Sequence, residues 1–112
     1  NLSFQYSKLC RLIASQGITV VCSTISMFRE VHAWNRKNIP GFFEVYLKVP
    51  LCELRKRDPK GIYQKFDSGE LKDVTGLDLE VDEPQSPDIL FEFDSNLSPS
   101  DLVDEILHKI KV

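Results

Sequence analysis

The stretch FEVYLKVPLCELRKRDPKGIY, residues 43–63, decides the fold. It opens with Phe43-Glu44-Val45-Tyr46-Leu47-Lys48-Val49, a strand by its β-branched and aromatic content. Pro50 suits the first turn of a helix, and Leu51 to Arg57 follows as that helix. Pro59 ends it or restarts another, and residues 60–68 read as a further short helix. A strand that runs straight into a helix is the unit from which parallel sheets with covering helices are built.

Working outward, the same alternation recurs. Towards the N-terminus, Leu2, Tyr6, Leu9, Cys10 and Ile13 recur at helical spacing, and Gly17 is placed to stop that helix. Ile18-Thr19-Val20-Val21-Cys22 then reads as a strand buried on both faces. Residues 28–38 read as a helix, broken by Pro40-Gly41. Towards the C-terminus, residues 69–87 hold Gly, Pro and many acidic residues with weak periodicity, which predicts a mobile, lid-like loop. Asp88-Ile89-Leu90-Phe91-Glu92-Phe93 is a third strand. Ser98 as N-cap, Pro99 at the first helical position and Asp101 in the first turn announce a terminal helix with Leu102, Val103, Ile106, Leu107 and Ile110 on its apolar face. The order predicts one α/β domain over residues 1–112, a parallel sheet covered by helices in three layers, α/β/α.

Composition narrows the function. Net charge is −3 with no dominant block of like charge, which argues against nucleic acid or an anionic membrane surface as partner. No apolar run approaches the ~18 residues of a membrane span. The 3 cysteines are odd in number, widely spaced and set among apolar residues, which reads as reduced core thiols in a cytoplasmic protein. No His or Cys has a partner at metal-ligand spacing, so no metal site is expected; His32, beside Trp34, reads as structural. The chain starts at Asn1 without Met or signal peptide, which reads as a start inside something longer.

Two polar clusters could carry chemistry. Ser23-Thr24-Ile25-Ser26-Met27 follows the first strand, where open α/β sheets bind ligands; its hydroxyls suit a ligand or a helix cap. Arg55, Lys56, Arg57 and Lys60 could hold a polyphosphate, or form a solvated helix face with Asp58 as ion-pair partner.

Taken in order, several segments resemble the adenylylsulfate kinase family. They are residues 17–21, Thr24-Ile25-Ser26-Met27-Phe28-Arg29, residues 43–46, Arg57-Asp58-Pro59-Lys60-Gly61-Ile62-Tyr63, Gly69-Glu70-Leu71-Lys72, Thr75-Gly76-Leu77-Asp78, Glu83-Pro84 and Pro87-Asp88. The resemblance runs from about Leu2 to Leu90. It implies a P-loop NTPase, nucleotide kinase-like fold, here incomplete, and transfer of the ATP γ-phosphoryl, with Mg²⁺, to the 3′-hydroxyl of adenosine 5′-phosphosulfate. It places Thr24, Ile25, Ser26, Arg29, Arg36, Val74 and Thr75 at the acceptor. It places Arg57, Lys60 and Gly61 near the ATP phosphates and lid, and Thr75, Gly76 and Asp78 in the closing loop. Ser26 stands where a catalytic, phosphorylated serine was once considered in the family; a binding role is expected here.

The departures are specific. Met27 replaces the family's Pro, Phe4 and Gln5 replace an Arg pair, and Val74 replaces a phenylalanine that can stack on the acceptor's adenine. The stretch His32-Ala33-Trp34-Asn35-Arg36, with Thr24-Ile25-Ser26-Met27-Phe28, resembles a divergent branch sometimes found among surface-polysaccharide genes, which leaves the exact acceptor open. No G-x-x-x-x-G-K-[ST] occurs in the chain. Phosphoryl transfer depends on that loop, so residues 1–112 alone are expected to be inactive. The expected function is that of part of an adenylylsulfate kinase. The alternatives are a kinase for a sugar or nucleotide-sugar acceptor and a non-catalytic nucleotide-binding domain. Nucleotides are the expected partners, and the sequence leaves a homodimer open.

Overall fold

The computed structural model describes residues 2–25, 28–74, 77 and 81–110. The chain divides into two compact units, one of residues 1–42 with 75–85 and one of residues 43–74 with 86–112.

In the first unit α1 (Leu2–Ala14) packs with α2 (Arg29–Asn38). Helix α1 closes with Gly17 at φ +80, a backbone angle that costs glycine nothing because it has no Cβ. The covered side of α1 runs through Ser3, Phe4, Ser7, Cys10, Ile13 and Ala14, while Leu2, Tyr6 and Leu9 stay exposed. The apolar periodicity therefore picked the wrong stripe in part: a helix buries whichever stripe meets a neighbour. The Phe4 ring meets Trp34 edge-on, with centroids 6.4 Å apart and planes at 89°. Such pairs favour the edge-to-face arrangement. Val31, at 0% exposure, is the centre of this unit.

The strand expected at residues 18–22 does not form among the described residues; the segment is irregular, and Val21 is 90% exposed. Its β-branched residues favour extended backbone, but a strand exists only where a second strand accepts its hydrogen bonds.

In the second unit β1 (Val45–Lys48) and β2 (Ile89–Glu92) pair in parallel, with Val45 opposite Ile89 and Lys48 opposite Glu92. The Glu44 amide donates to the Asp88 carboxylate (2.6 Å), and the Asp88 amide donates back to the Glu44 carbonyl (2.9 Å). This exchange sets the register at the start of the ladder. Strand β2 alternates: Ile89 and Phe91, 5% and 9% exposed, point into the unit, and Leu90 and Glu92 point out. Between the strands lie α3 (Leu51–Arg57) and α4 (Ile62–Asp67), and α5 (Pro99–Ile110) follows β2. Helix α5 starts as its sequence predicts. Ser98 Oγ accepts the Asp101 amide (3.3 Å), and the Asp101 carboxylate accepts the Ser98 amide (2.8 Å). The Ser98 amide and the Ser98 hydroxyl (3.0 Å) both donate to the Asp101 carboxylate and hold it below its ordinary value of 3.8.

The thiols are not core groups. Cys22 and Cys52 are exposed and Cys10 is half-buried. Burial pushes the Cys10 thiol up, and a hydrogen bond with Cys22 adds to the rise. Over residues 69–87, the described positions form neither helix nor strand.

Candidate functional site

The second unit holds an open cleft of about 470 Å³ lined by Arg55, Lys56, Arg57, Asp58, Tyr63, Gln64 and Asp67. Local sequence builds it. Helix α3 places Arg55, Lys56 and Arg57 in its last turn, where the negative helix end favours cations. Gly61 takes φ +65, so the chain turns without strain into α4.

Asp58 is not the ion-pair partner that sequence suggested. Its two carboxylate oxygens accept the Tyr63 and Gln64 amides, at 3.2 and 3.1 Å, and so cap α4. The first amides of a helix have no partner within it, and a carboxylate there answers both the hydrogen bonds and the helix dipole. The arginines find other partners. Arg55 pairs with Asp67 and lies 5.8 Å from the Tyr63 ring centre. Arg57 donates to Glu53 (3.1 Å) and lies over the Phe93 ring at 5.2 Å. Pairing and stacking hold both guanidinium planes in place. Lys56 and Lys60 are exposed and make no ion pair or hydrogen bond among the described residues. The cleft thus holds two oriented guanidiniums, partly neutralised by carboxylates, and the ammonium of Lys56 with its charge available, with Lys60 following in the turn between α3 and α4. That combination suits an anion carrying several phosphate oxygens.

The first unit holds the other expected set. Thr24 and Ile25 are exposed just before α2. Arg29 is the first residue of α2, and Arg36 lies two turns on along the same face. The Arg36 guanidinium sits 4.9 Å above the Phe42 ring. Helix α2 follows Phe28, which makes no side-chain cap. In its place the Asp82 carboxylate, far along the chain, accepts the Arg29 amide at 2.9 Å.

The structure therefore groups Thr24, Ile25, Arg29 and Arg36 in one unit and Arg57, Lys60, Gly61 and half-buried Val74 in the other. Ser26, Thr75, Gly76 and Asp78 lie outside the described residues. Among the described residues no group of three His, Cys, Asp or Glu could hold a metal ion. No described helix is long and apolar enough to cross a membrane. Sequence reasoning passed over Asp82, Asp67 and the rings of Phe42 and Phe93. Of these only Asp67 carried a usable signal, as a carboxylate at the end of the helix that follows the cations.

Residues 4–92 match the family model described as adenylylsulphate kinase. A cytidine diphosphoramidate kinase of Campylobacter jejuni is 35% identical over 86 residues, 77% of this chain and 51% of that protein. A probable adenylyl-sulfate kinase of Archaeoglobus fulgidus is 40% identical over 89 residues, 80% of this chain and 57% of that protein. In structure, the chain is similar to the APS kinase of Mycobacterium tuberculosis, solved in complex with AMPPNP and APS. The TM-score is 0.87 at 30% identity, over 98% of this chain and 65% of that one. The chain thus spans about half the length of the curated relatives it matches.

Proposed function

The chain belongs to the adenylylsulphate kinase family, and from that premise we propose that it forms part of an ATP-dependent kinase whose acceptor is adenosine 5′-phosphosulfate. The observation that carries this reading is the α3–α4 cleft, lined by the cations Arg55, Lys56 and Arg57. Arg57 and Lys60, which follows it in the turn between α3 and α4, stand in the stretch that resembles the family's phosphate-side element. In this reading Lys60, whose ammonium is uncommitted among the described residues, meets the phosphates of ATP. Arg57, held by Glu53 and Phe93, keeps a fixed guanidinium beside them. Charge placed in advance where charge develops is the main lever a protein has on phosphoryl transfer. Thr24, Ile25, Ser26, Arg29 and Arg36 form the acceptor side, where the two arginines meet its anionic groups and Ser26 binds rather than reacts. Thr75, Gly76 and Asp78 belong to the loop that closes over the bound nucleotides.

A second acceptor is favoured by one residue and one relative. Val74 offers no aromatic face to an adenine, and a relative of comparable similarity is named for cytidine diphosphoramidate. A cytidine nucleotide is therefore the alternative acceptor. The test is an ATP-dependent phosphorylation assay of the full protein that carries this chain, offered adenylylsulfate and cytidine diphosphoramidate side by side. Turnover of adenylylsulfate with the higher kcat/KM supports the first reading. Preference for the cytidine compound replaces it with the second, and turnover of neither sinks both.

A further inference from the structure

We propose that Asp82 is a positioning residue that fixes the start of α2 and, through it, the acceptor-side arginines. The Asp82 carboxylate accepts the backbone N–H of Arg29 at 2.9 Å across 53 residues of sequence. That amide is one of the four at the start of a helix that lack a partner within it. The residue that normally supplies one is the N-cap, and here it is Phe28, whose side chain cannot accept a hydrogen bond. Helix α2 therefore borrows its cap from a remote segment.

Two features make the borrowed cap more than a fold contact. First, it is charge-assisted: an ionised carboxylate on a backbone N–H at the positive end of a helix gains from both the hydrogen bond and the dipole. Second, its two ends adjoin the stretches expected to hold the acceptor. Asp82 follows closely on Thr75-Gly76-Leu77-Asp78, and Arg29 follows closely on Thr24-Ile25-Ser26. Asp82 is half-buried in an acidic stretch whose next residue, Glu83, is exposed. Fixing the first residue of α2 also fixes the direction in which Arg29 leaves the helix, and with it Arg36 on the same face. Asp82 touches no reacting atom in this account. It acts through α2.

The kinetic part of this inference rests on the kinase reading above, and the structural part does not. In the full protein, backbone amide exchange at Arg29 should quicken severalfold in Asp82→Ala. Asp82→Asn, which keeps an acceptor oxygen but not the charge, should stay closer to the parent. In the same proteins the acceptor KM should rise severalfold in Asp82→Ala while the ATP KM holds. Unchanged Arg29 exchange in a folded Asp82→Ala protein overturns the proposal. So does a matched rise of both KM values with a falling Tm, which is the mark of general loosening. Faster Arg29 exchange in a protein that phosphorylates neither acceptor supports the cap while refuting the kinase reading.

Discussion

Two helices in this chain receive the same chemical device from different distances. Helix α4 is capped by Asp58, which lies just before it and reaches the Tyr63 and Gln64 amides. Helix α2 is capped by Asp82, 53 residues away. Either way a carboxylate meets amides that the helix cannot satisfy itself. The difference lies in what must happen first. The Asp58 cap closes a loop of a few residues and is available as soon as the α3–α4 turn forms. The Asp82 cap needs the chain between already in place, at a higher entropic cost of closure. A motif that holds its shape locally can be recognised from a short stretch of sequence, and a site assembled at long range cannot.

The strongest way to test the local side of that comparison is to remove its charges. In the full protein, Lys60→Ala should lower kcat/KM on the order of 10²-fold, as is typical of losing one well-placed electrostatic group. Arg57→Ala should act in the same direction, with the added loss of packing on Phe93. Steady-state kinetics on proteins shown to be folded decides this, and unchanged kcat/KM in both would leave the cluster as a solvated helix face. Next in size is the cap itself. Asp58→Ala should destabilise the fold by about 1 kcal/mol, the usual cost of a lost N-cap. It should do so at any acceptor concentration, as a shift in the denaturant midpoint. No shift would mean that the α3–α4 turn is held by the Arg55–Asp67 pair instead.

Val74→Phe sharpens the comparison from the acceptor side. Base–aromatic stacking is worth roughly 1–3 kcal/mol where measured by truncation, and valine keeps part of the apolar contact. If adenylylsulfate is the acceptor, calorimetry should show severalfold tighter binding to Val74→Phe. If the acceptor carries no adenine at this position, the substitution should leave adenylylsulfate binding undetectable or obstruct the true acceptor. The smallest effect concerns the third carboxylate cap, at α5. Hydrogen bonds from Ser98 lower the folded-state value of Asp101 beneath 3.8. A lowered carboxyl stabilises the fold fully above its ordinary value, and that contribution is lost as pH falls through the folded value. Helical circular dichroism should therefore fall in acid below pH 3.8 at α5, and Ser98→Ala should make that acid loss smaller.

Residues whose partners lie nearby were legible in sequence. The helices α2, α3, α4 and α5 and the strands β1 and β2 lie where periodicity, proline, glycine and capping residues put them. So does the cation cluster, because the end of α3 and the turn at Gly61 are short-range features. The covered stripe of α1 was legible only in part. Cys10 and Ile13 are covered as their spacing suggests, but Leu2, Tyr6 and Leu9 are exposed, and Ser3, Phe4 and Ser7 are covered in their place. The segment 18–22 has strand composition and no ladder among the described residues. The ion pair that a solvated helix face would give Asp58 is not what its carboxylate makes, because its partners are backbone amides.

By itself, the sequence determined what each segment prefers to be and which family its motifs resemble. Helix starts, turn glycines and the Arg57–Tyr63 motif are set by interactions between residues a few positions apart, whose cost of ordering is small. Only the tertiary structure decided what each segment is held by. It chose the side of α1 that meets α2, aligned Val45 with Ile89, and brought Asp82 to the amide of Arg29. Burial, strand pairing and remote capping each require a second segment to be present, and no local pattern states which segment that will be.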